Sequence, residues 1–282
     1  MAFAVNTTTN AAIFKSTFTA EFGLEPYEEP KVSGFVATPY GTDRIGNVLY
    51  LRKIKAVVAG KYTGSTGLPA NLSASTANTE LAPSTTLAYG YAQLELDEPA
   101  LTRLIDDAAY RTGIRTQMRA AVNSQKDADL LALAASLSHS EVGAALNETM
   151  FASGLGQLAT YAMNKYEQGV TDVRLFLTPT QLKNVIVIPA LKEYQIRGGA
   201  GTAATGQLVT AHGIRFAESG NVYSSAGAYY NALILKEAWA IGHNILGGFL
   251  PDQQDGIVTR LIFRIEYGTA EWFDSCGVAL IT

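Results

Sequence analysis

The stretch that decides the fold is residues 111–137, RTGIRTQMRAAVNSQKDADLLALAASL. It contains no proline, and its one glycine, Gly113, stands near the start. Apolar residues recur along one side at helical spacing, namely Ile114, Met118, Ala121, Val122, Leu130, Leu133 and Leu137. The charged residues that we assign to the polar side are Arg115, Arg119, Lys126, Asp127 and Asp129. The pattern predicts one amphipathic helix, roughly 38 Å long at 1.5 Å per residue, with Thr112 as its N-cap.

Composition favours a chain that buries surface against partners as well as within itself. The 282 residues are 48% apolar and only 16% charged, below the usual quarter for a soluble domain. A compact monomer with a large core is the alternative reading of the same numbers. The net charge of −4, without a basic run, predicts no sequence-specific reader of nucleic acid. A mildly acidic protein can still enclose nucleic acid without binding it tightly.

The single cysteine, Cys276, permits no disulfide within the chain and fits a reducing compartment. Its apolar neighbours Phe273, Val278 and Ala279 predict a buried, inert thiol. The N-terminus lacks the cationic and apolar regions of a secretion signal, and no window is apolar enough to predict a membrane span.

The first third of the chain is predicted to form two extended elements, an N-terminal arm and a long β-arm. Residues 1–34 carry a polar run and an acidic, proline-containing run, which predicts a poorly packed arm lying on another molecule. A frayed tail is the plainer reading. Residues 47–58 and 87–96 alternate like strands and flank an almost uncharged Gly/Ser/Thr-rich stretch, 59–86. Together they predict a long β-arm that needs a neighbouring molecule for burial, with a disordered surface loop as the alternative.

Beyond residue 137 the pattern alternates between helices and strands. We expect a connection at 138–146, a polar break at 252–256, and a helix at 148–166 capped by Asn147 or Thr149. A further helix, 180–188, should follow Thr178 as N-cap and Pro179. The strands predicted in this half are 173–177, 213–216, 232–235, 238–241, 257–267 and 277–281.

No combination of residues reaches the level of a catalytic, cofactor or metal site. The three histidines, His139, His212 and His243, lack ligand spacing and read as surface or structural residues. The glycines at 198–201 do not complete a phosphate loop, and Ser153 lacks the context of a nucleophile elbow. Asp106 and Asp107 are acids near a helix start, where solvation or compensation of the helix dipole is the ordinary role. We therefore expect no enzyme activity and no cofactor.

Several strings carry a resemblance to a known family. Residues 104–110 (LIDDAAY), 127–137 (DADLLALAASL) and 174–183 (RLFLTPTQLK) resemble its helix region and the opening of its axial domain. Residues 213–222 (GIRFAESGNV), 232–239 (ALILKEAW) and 264–281 resemble its closing segments. Together with the order of the predicted elements, these strings resemble the major capsid protein of tailed phages, the Hong Kong 97-like coat fold.

The resemblance implies an α+β architecture with a defined order of parts. These are an N-terminal arm at 1–34, a first peripheral part at 35–56, an extended loop at 57–92, a peripheral domain at 93–145 with a spine helix at 111–137, an axial domain at 146–252 and closing peripheral strands at 253–282. The loop is expected to lie over an adjacent subunit, and residues 198–206 near the axis of a hexamer or pentamer. The residues expected at subunit interfaces are Lys61, Tyr62, Glu80, Tyr89, Tyr91, Arg197 and Gly199.

The same resemblance implies a role in a virion. Copies of the chain would form hexamers and pentamers of an icosahedral head around double-stranded DNA, assembled in the host cytoplasm. The expected partners are further copies of the chain, a portal protein, a decoration protein and a separate scaffolding protein, the last because the chain looks too short to carry its own scaffold. The enclosed DNA is expected to be held without sequence-specific binding. The alternatives are an encapsulin-type cellular compartment and a soluble α/β enzyme with His212 or His243 at its site.

Some members of that family join subunits through a Lys–Asn isopeptide bond aided by a buried Glu. Lys61 lies in the corresponding loop, but the sequence identifies neither an Asn partner nor the Glu. We expect purified particles boiled in detergent to run as monomers of 30.1 kDa. A ladder of covalent oligomers would contradict this expectation, and its loss in a Lys61→Arg variant would assign the bond.

Overall fold

The structure is a computed structural model that describes residues 31–37, 42–45, 48–51, 53–54, 80–81, 84–86, 88–96, 106–163, 173–186, 188, 210–211, 214–254 and 258–282. The chain divides into two compact units. The first comprises Met1–Gly34, Leu87–Asp129 and His243–Gly268. The second comprises Phe35–Thr86, Leu130–Gly242 and Thr269–Thr282.

Helices and strands are mixed along the chain. The α-helices are α1 (Ala108–Ala132), α2 (Glu148–Met163) and α3 (Pro179–Ile186), with 3-10 turns at Leu133–Ser136 and Asp274–Cys276. The strands of the first half are β1 (Thr42–Ile45), β2 (Val48–Leu51), β3 (Lys53–Ile54), β4 (Glu80–Leu81), β5 (Ser84–Thr86), β6 (Ala88–Leu96) and β7 (Ser140–Val142). Those of the second half are β8 (Val173–Leu177), β9 (Thr210–Ala211), β10 (Ile214–Glu218), β11 (Ser224–Ser225), β12 (Ala228–Ile234), β13 (Trp239–Gln254), β14 (Val258–Glu271) and β15 (Gly277–Ile281).

In the first unit, a three-stranded sheet of order β13-β14-β6 lies against α1. β14 and β6 pair antiparallel from Thr259 opposite Leu96 to Tyr267 opposite Ala88. Gly90 of β6 is buried beneath the helix. A Cβ at this position would lie 3.1 Å from Cε1 of Tyr267 and 3.2 Å from Cγ1 of Val122. The missing side chain therefore lets helix and sheet approach closely.

Helix α1 confirms the predicted long helix but begins earlier than predicted. The Asp107 carboxylate accepts hydrogen bonds from the backbone N–H groups of Ala109 (2.9 Å) and Tyr110 (3.2 Å), so Asp107 is the N-cap. The prediction of Thr112 as cap is wrong, because its hydroxyl donates to the Ala108 carbonyl one turn back. At the other end, the regular helix gives way to a 3-10 turn at Leu133–Ser136.

The second unit is built on a seven-stranded mixed sheet. Its path is β7-β15-β12-β8-β10-β9, with β11 paired to β12. β8 pairs with β10, and β15 with β7, in parallel, whereas the other pairs along the path are antiparallel. The core-facing residues of its central strands are buried, among them Leu175, Phe176, Leu177, Leu233, Ile234, Val278 and Leu280. The predicted strands at 173–177 and 277–281 have the bounds that the sequence indicates.

Two helices of this unit begin at side-chain caps. The Asn147 carbonyl oxygen accepts the N–H of Met150 at 2.9 Å, which selects Asn147 over Thr149 as the cap of α2. Thr178 caps α3 as predicted, because its hydroxyl accepts the N–H of Gln181. The Gln181 side chain accepts the Thr178 N–H in return, which completes a capping box.

Strand pairing in the extended region involves residues of the low-complexity stretch. The strands β2 and β3 pair with β5 and β4, whose residues come from within the low-complexity stretch 59–86. The predicted strand at 87–96 is observed as β6 and pairs with β14. An alternating sequence pattern predicts a strand but does not identify the strand with which it pairs.

Two predicted irregular segments contain regular structure. The predicted connection at 138–146 contains the strand β7. The predicted polar break begins at residue 252, yet β13 runs on to Gln254. Strands pair through backbone hydrogen bonds, which polar side chains do not prevent. Polarity alone therefore gave the wrong limits for these two strands.

Packing of α2 on the sheet gives a matched pair of tests. A Cβ on Gly154 would lie 2.9 Å from Cδ2 of buried Leu280 and 3.4 Å from Cδ2 of Leu233, whereas one on Gly156 meets nothing within 4 Å. Both changes to Ala gain about 1 kcal/mol of helix propensity. We expect Gly156→Ala to raise the free energy of unfolding and Gly154→Ala to lower it by about 1–2 kcal/mol through overpacking.

Denaturant unfolding of both variants measures the difference. Equal stabilisation by the two substitutions would contradict the close packing of α2 on β12 and β15.

Candidate functional site

The seven residues predicted at subunit interfaces fall into two groups. Lys61, Tyr62, Arg197 and Gly199 lie outside the described residues. The backbone of the other three is described, but their side chains are not. Glu80 stands opposite Ile54, Tyr89 opposite Glu266, and Tyr91 opposite Arg264. The interface role of all seven stays a prediction.

Strand β6, which carries Tyr89 and Tyr91, occupies a notable position. Among the described strands it forms one edge of the three-stranded sheet, with β14 on its other side. An edge strand presents backbone N–H and C=O groups that another polypeptide can pair with. The backbone at Tyr89 and Tyr91 is thus placed where a contact with a second chain is physically reasonable.

The side chains considered for catalysis are engaged in structural contacts. The Ser153 hydroxyl donates to Oε1 of Glu141 at 2.5 Å, and the Gln157 amide donates to the same oxygen. The ring of His139 stacks on Tyr161 with centroids 3.8 Å apart. Cys276 is fully buried, as predicted. His212 lies outside the described residues.

No group of three or more potential metal ligands is present within the part of the chain that the structure describes. Among the described helices, none combines the length and apolarity that crossing a membrane requires.

A buried polar cluster lies in the first unit, around Lys126, Asp127 and Asp129 of α1. Lys126 and Asp127 are 7% and 6% exposed, so assigning them to the polar side of the helix was wrong. Asp127 accepts hydrogen bonds from Val32 and Ser33, and Asp129 accepts one from the Tyr267 hydroxyl at 2.5 Å. Helical periodicity does not reveal such partners, because they lie about 95 and 138 residues away in sequence.

Burial and charge shift the proton affinities of this cluster. Burial lowers the pKa of Lys126, an effect that the neighbouring negative charge of Asp127 opposes. Burial also raises the pKa of Tyr267 above its ordinary value, reinforced by the hydrogen bond to Asp129 and its charge. The phenol therefore stays protonated and keeps its donor role toward Asp129.

His243, on β13, joins this cluster electrostatically. Partial desolvation of the ring, followed by the positive charge of Lys126, lowers the pKa of His243 from 6.5 to about 4. The side chain as a whole is exposed, so solvent screens part of this effect. At neutral pH the ring is uncharged.

Comparison with known proteins was made on sequence and on structure. No protein-family model and no curated protein matches the sequence. The structure is similar to the capsid of the cyanophage P-SCSP1u, with a TM-score of 0.57 and 16% identity over 91% of this chain and 89% of that one. It is similar to the head structure of Helicobacter pylori bacteriophage KHP40, with a TM-score of 0.62 and 11% identity over 84% and 85%. The capsid of the native GTA particle matches with a TM-score of 0.60 and 10% identity over 91% of both chains.

These similarities extend over most of this chain and most of each matched chain. The chain therefore has the mixed α+β fold of phage capsid proteins, which confirms the resemblance seen in the sequence at the level of the fold.

The lowered pKa of His243 predicts a pH effect. The folded chain resists protonation of this ring, whereas the unfolded chain protonates it near pH 6.5. Stability should therefore fall as pH drops from about 6.5 toward 4. NMR titration should place the pKa of His243 below 6.5, and Lys126→Met should raise it by removing the nearby positive charge.

Lys183→Met, at an exposed lysine of α3 in the other unit, is the matched control and should leave the titration unchanged. A pKa for His243 at or above 6.5 in the unmodified chain would refute the electrostatic assignment.

Proposed function

We propose that this chain is the major capsid protein of a tailed phage. Copies assemble as hexamers and pentamers into an icosahedral head that encloses double-stranded DNA. The observation that carries the proposal is the agreement of the fold with the capsids of two phages and of the GTA particle over 84–91% of the chain, despite identities of only 10–16%. A fold shared over most of each matched chain is what a common architectural role would preserve.

The charge of the chain supports enclosure of DNA rather than recognition of it. The net charge is −4, and charged residues make up 16% of the sequence. Specific DNA binding draws on a concentrated basic surface, because phosphate contacts supply most of the affinity. A coat protein needs only to surround its genome, so a mildly acidic chain is compatible with this role.

The finer architecture of the proposal follows the capsid fold. Helix α1 acts as the spine helix of a peripheral domain, and residues 146–252 form an axial domain. Residues 57–92 form an extended loop that lies over an adjacent subunit. The pairing of β2 with β5 and of β3 with β4 supports this loop, because it makes the two legs of an antiparallel ribbon. Many weak contacts between such extensions add up across a closed shell.

The proposed role is structural, without catalysis or a cofactor. Two side chains considered for catalysis have structural roles that support this proposal. The Ser153 hydroxyl donates a hydrogen bond to Glu141, and Cys276 is buried. We further propose a separate scaffolding protein, a portal protein and a decoration protein as partners, and assembly in the host cytoplasm before the chain becomes part of the virion.

Sedimentation velocity and electron microscopy of the purified protein test the proposal. We expect species of five or six copies of the 30.1 kDa chain, or closed shells, rather than a monomer. Co-expression with the scaffolding protein should make the shells uniform. A stable monomer at high concentration would contradict the proposal, and shells filled with a protein cargo would favour an encapsulin-type compartment.

A loop variant separates assembly from folding. Replacing residues 61–79 with a short Gly-Ser linker leaves the paired segments Lys53–Ile54 and Glu80–Leu81 in place. We expect this variant to keep the melting temperature of the subunit while losing capsomers and shells. Unchanged assembly would contradict the proposed role of the extended loop in contacts between subunits.

A further inference from the structure

Residues 31–37 are packed more tightly than the sequence predicts. The prediction of a poorly packed arm at 1–34 is wrong for Val32 and Ser33, which are 0% and 9% exposed. Phe35, Val36 and Ala37 follow and are also buried. The segment makes a turn, with Lys31 and Gly34 left exposed at its surface. It is therefore a docked segment of the chain.

A single carboxylate holds the first half of this turn. Oδ1 of Asp127 accepts hydrogen bonds from the Ser33 N–H and the Ser33 hydroxyl, both at 2.9 Å. Oδ2 accepts the Val32 N–H at 3.3 Å. Two successive backbone N–H groups and a hydroxyl thus converge on one side chain of α1, all within the first unit.

The chemistry of the turn calls for an ionised carboxylate. Its three donors need acceptor lone pairs, and a carboxylate is acceptor-only whereas an amide turns an NH₂ group toward one of them. Burying such a group is unfavourable unless its oxygens are satisfied. The turn supplies that satisfaction, so Asp127 and residues 32–33 depend on each other for their burial.

The second half of the segment is held independently, within the second unit. The Phe35 ring lies 4.0 Å below the Arg174 guanidinium. The Ala37 N–H donates to the Lys236 carbonyl at 2.9 Å, and the Ala37 carbonyl accepts the Ile241 N–H at 3.2 Å. Residues 31–37 are thus fixed on both sides of Gly34, and Asp127 is the fixation point nearer to residues 1–30.

We propose that Asp127 is a positioning residue for assembly. By fixing Val32 and Ser33 on α1, it holds the surface turn at residues 31–34 in a single geometry. This proposal rests on the proposed function, because a fixed surface turn matters to assembly only where copies of the chain must meet in one geometry. Asp127 acts through the turn and contacts no ligand.

Limited trypsin digestion tests the fixation without requiring assembly. The bond after Lys31 precedes fully buried Val32 and should resist cleavage in the folded chain. Asp127→Ala should accelerate cleavage there by on the order of 10- to 100-fold, because charged hydrogen bonds are lost.

Two further variants keep the test decisive. Ser33→Ala removes one of the three hydrogen bonds and should give a smaller acceleration, even if Asp127→Ala fails to fold. Asp129→Asn loses the same charge two residues along the helix, where the hydrogen bond goes to Tyr267, and should leave cleavage after Lys31 at the wild-type rate. Wild-type cleavage in Asp127→Ala and Ser33→Ala would overturn the fixation.

Electron microscopy of particles then tests the positioning role. Asp127→Ala, folded by its melting curve, should give fewer shells with a broader range of diameters, whereas Asp129→Asn should give uniform ones. Uniform Asp127→Ala shells despite faster cleavage would overturn the positioning role. If the unmodified chain forms no assemblies, the proposed function fails, and the cleavage result still decides whether Asp127 fixes the turn.

Discussion

The second unit depends on the insertion of β15 between β7 and β12. Gly277–Ile281 pairs in parallel with Ser140–Val142 on one side and antiparallel with Ala228–Ile234 on the other. Three strands far apart in sequence must therefore meet before the sheet is complete. Helix α2 then covers the result, with Gly154 packed against Leu280 and Leu233. Long-range pairing of this kind is slow to form.

A completed sheet of this kind is what a shell subunit needs. The central strands of the second unit find their hydrogen-bond partners within the unit. Neighbouring copies therefore have to contribute contacts only at edges and extensions. In the first unit, β6 presents an edge among the described strands, and Asp127 fixes the turn at Val32 and Ser33. The proposed assembly thus uses a self-sufficient core and places its contacts on elements that cannot complete themselves.

Much of the fold was predictable from the sequence, and the failures have a common cause. Periodicity and capping residues located α1, β8, β15 and the start of α3, because these signals act within a few residues. The burial of Lys126 and Asp127, and the pairing of β6 with β14, depend on partners far away in the chain. No local pattern encodes them. The proposed interface is harder still, because its partner atoms belong to other copies of the chain.

The central proposal is that the second unit buries the centre of its own sheet, whereas residues 57–79 of the extended loop are buried by neighbouring copies of the chain. Hydrogen exchange compared between isolated subunits and assembled particles tests this most directly. The account predicts slow exchange at residues 277–281 in both states, and slow exchange across residues 57–79 only in particles. Protection of residues 57–79 that is already complete in the isolated subunit would contradict the account.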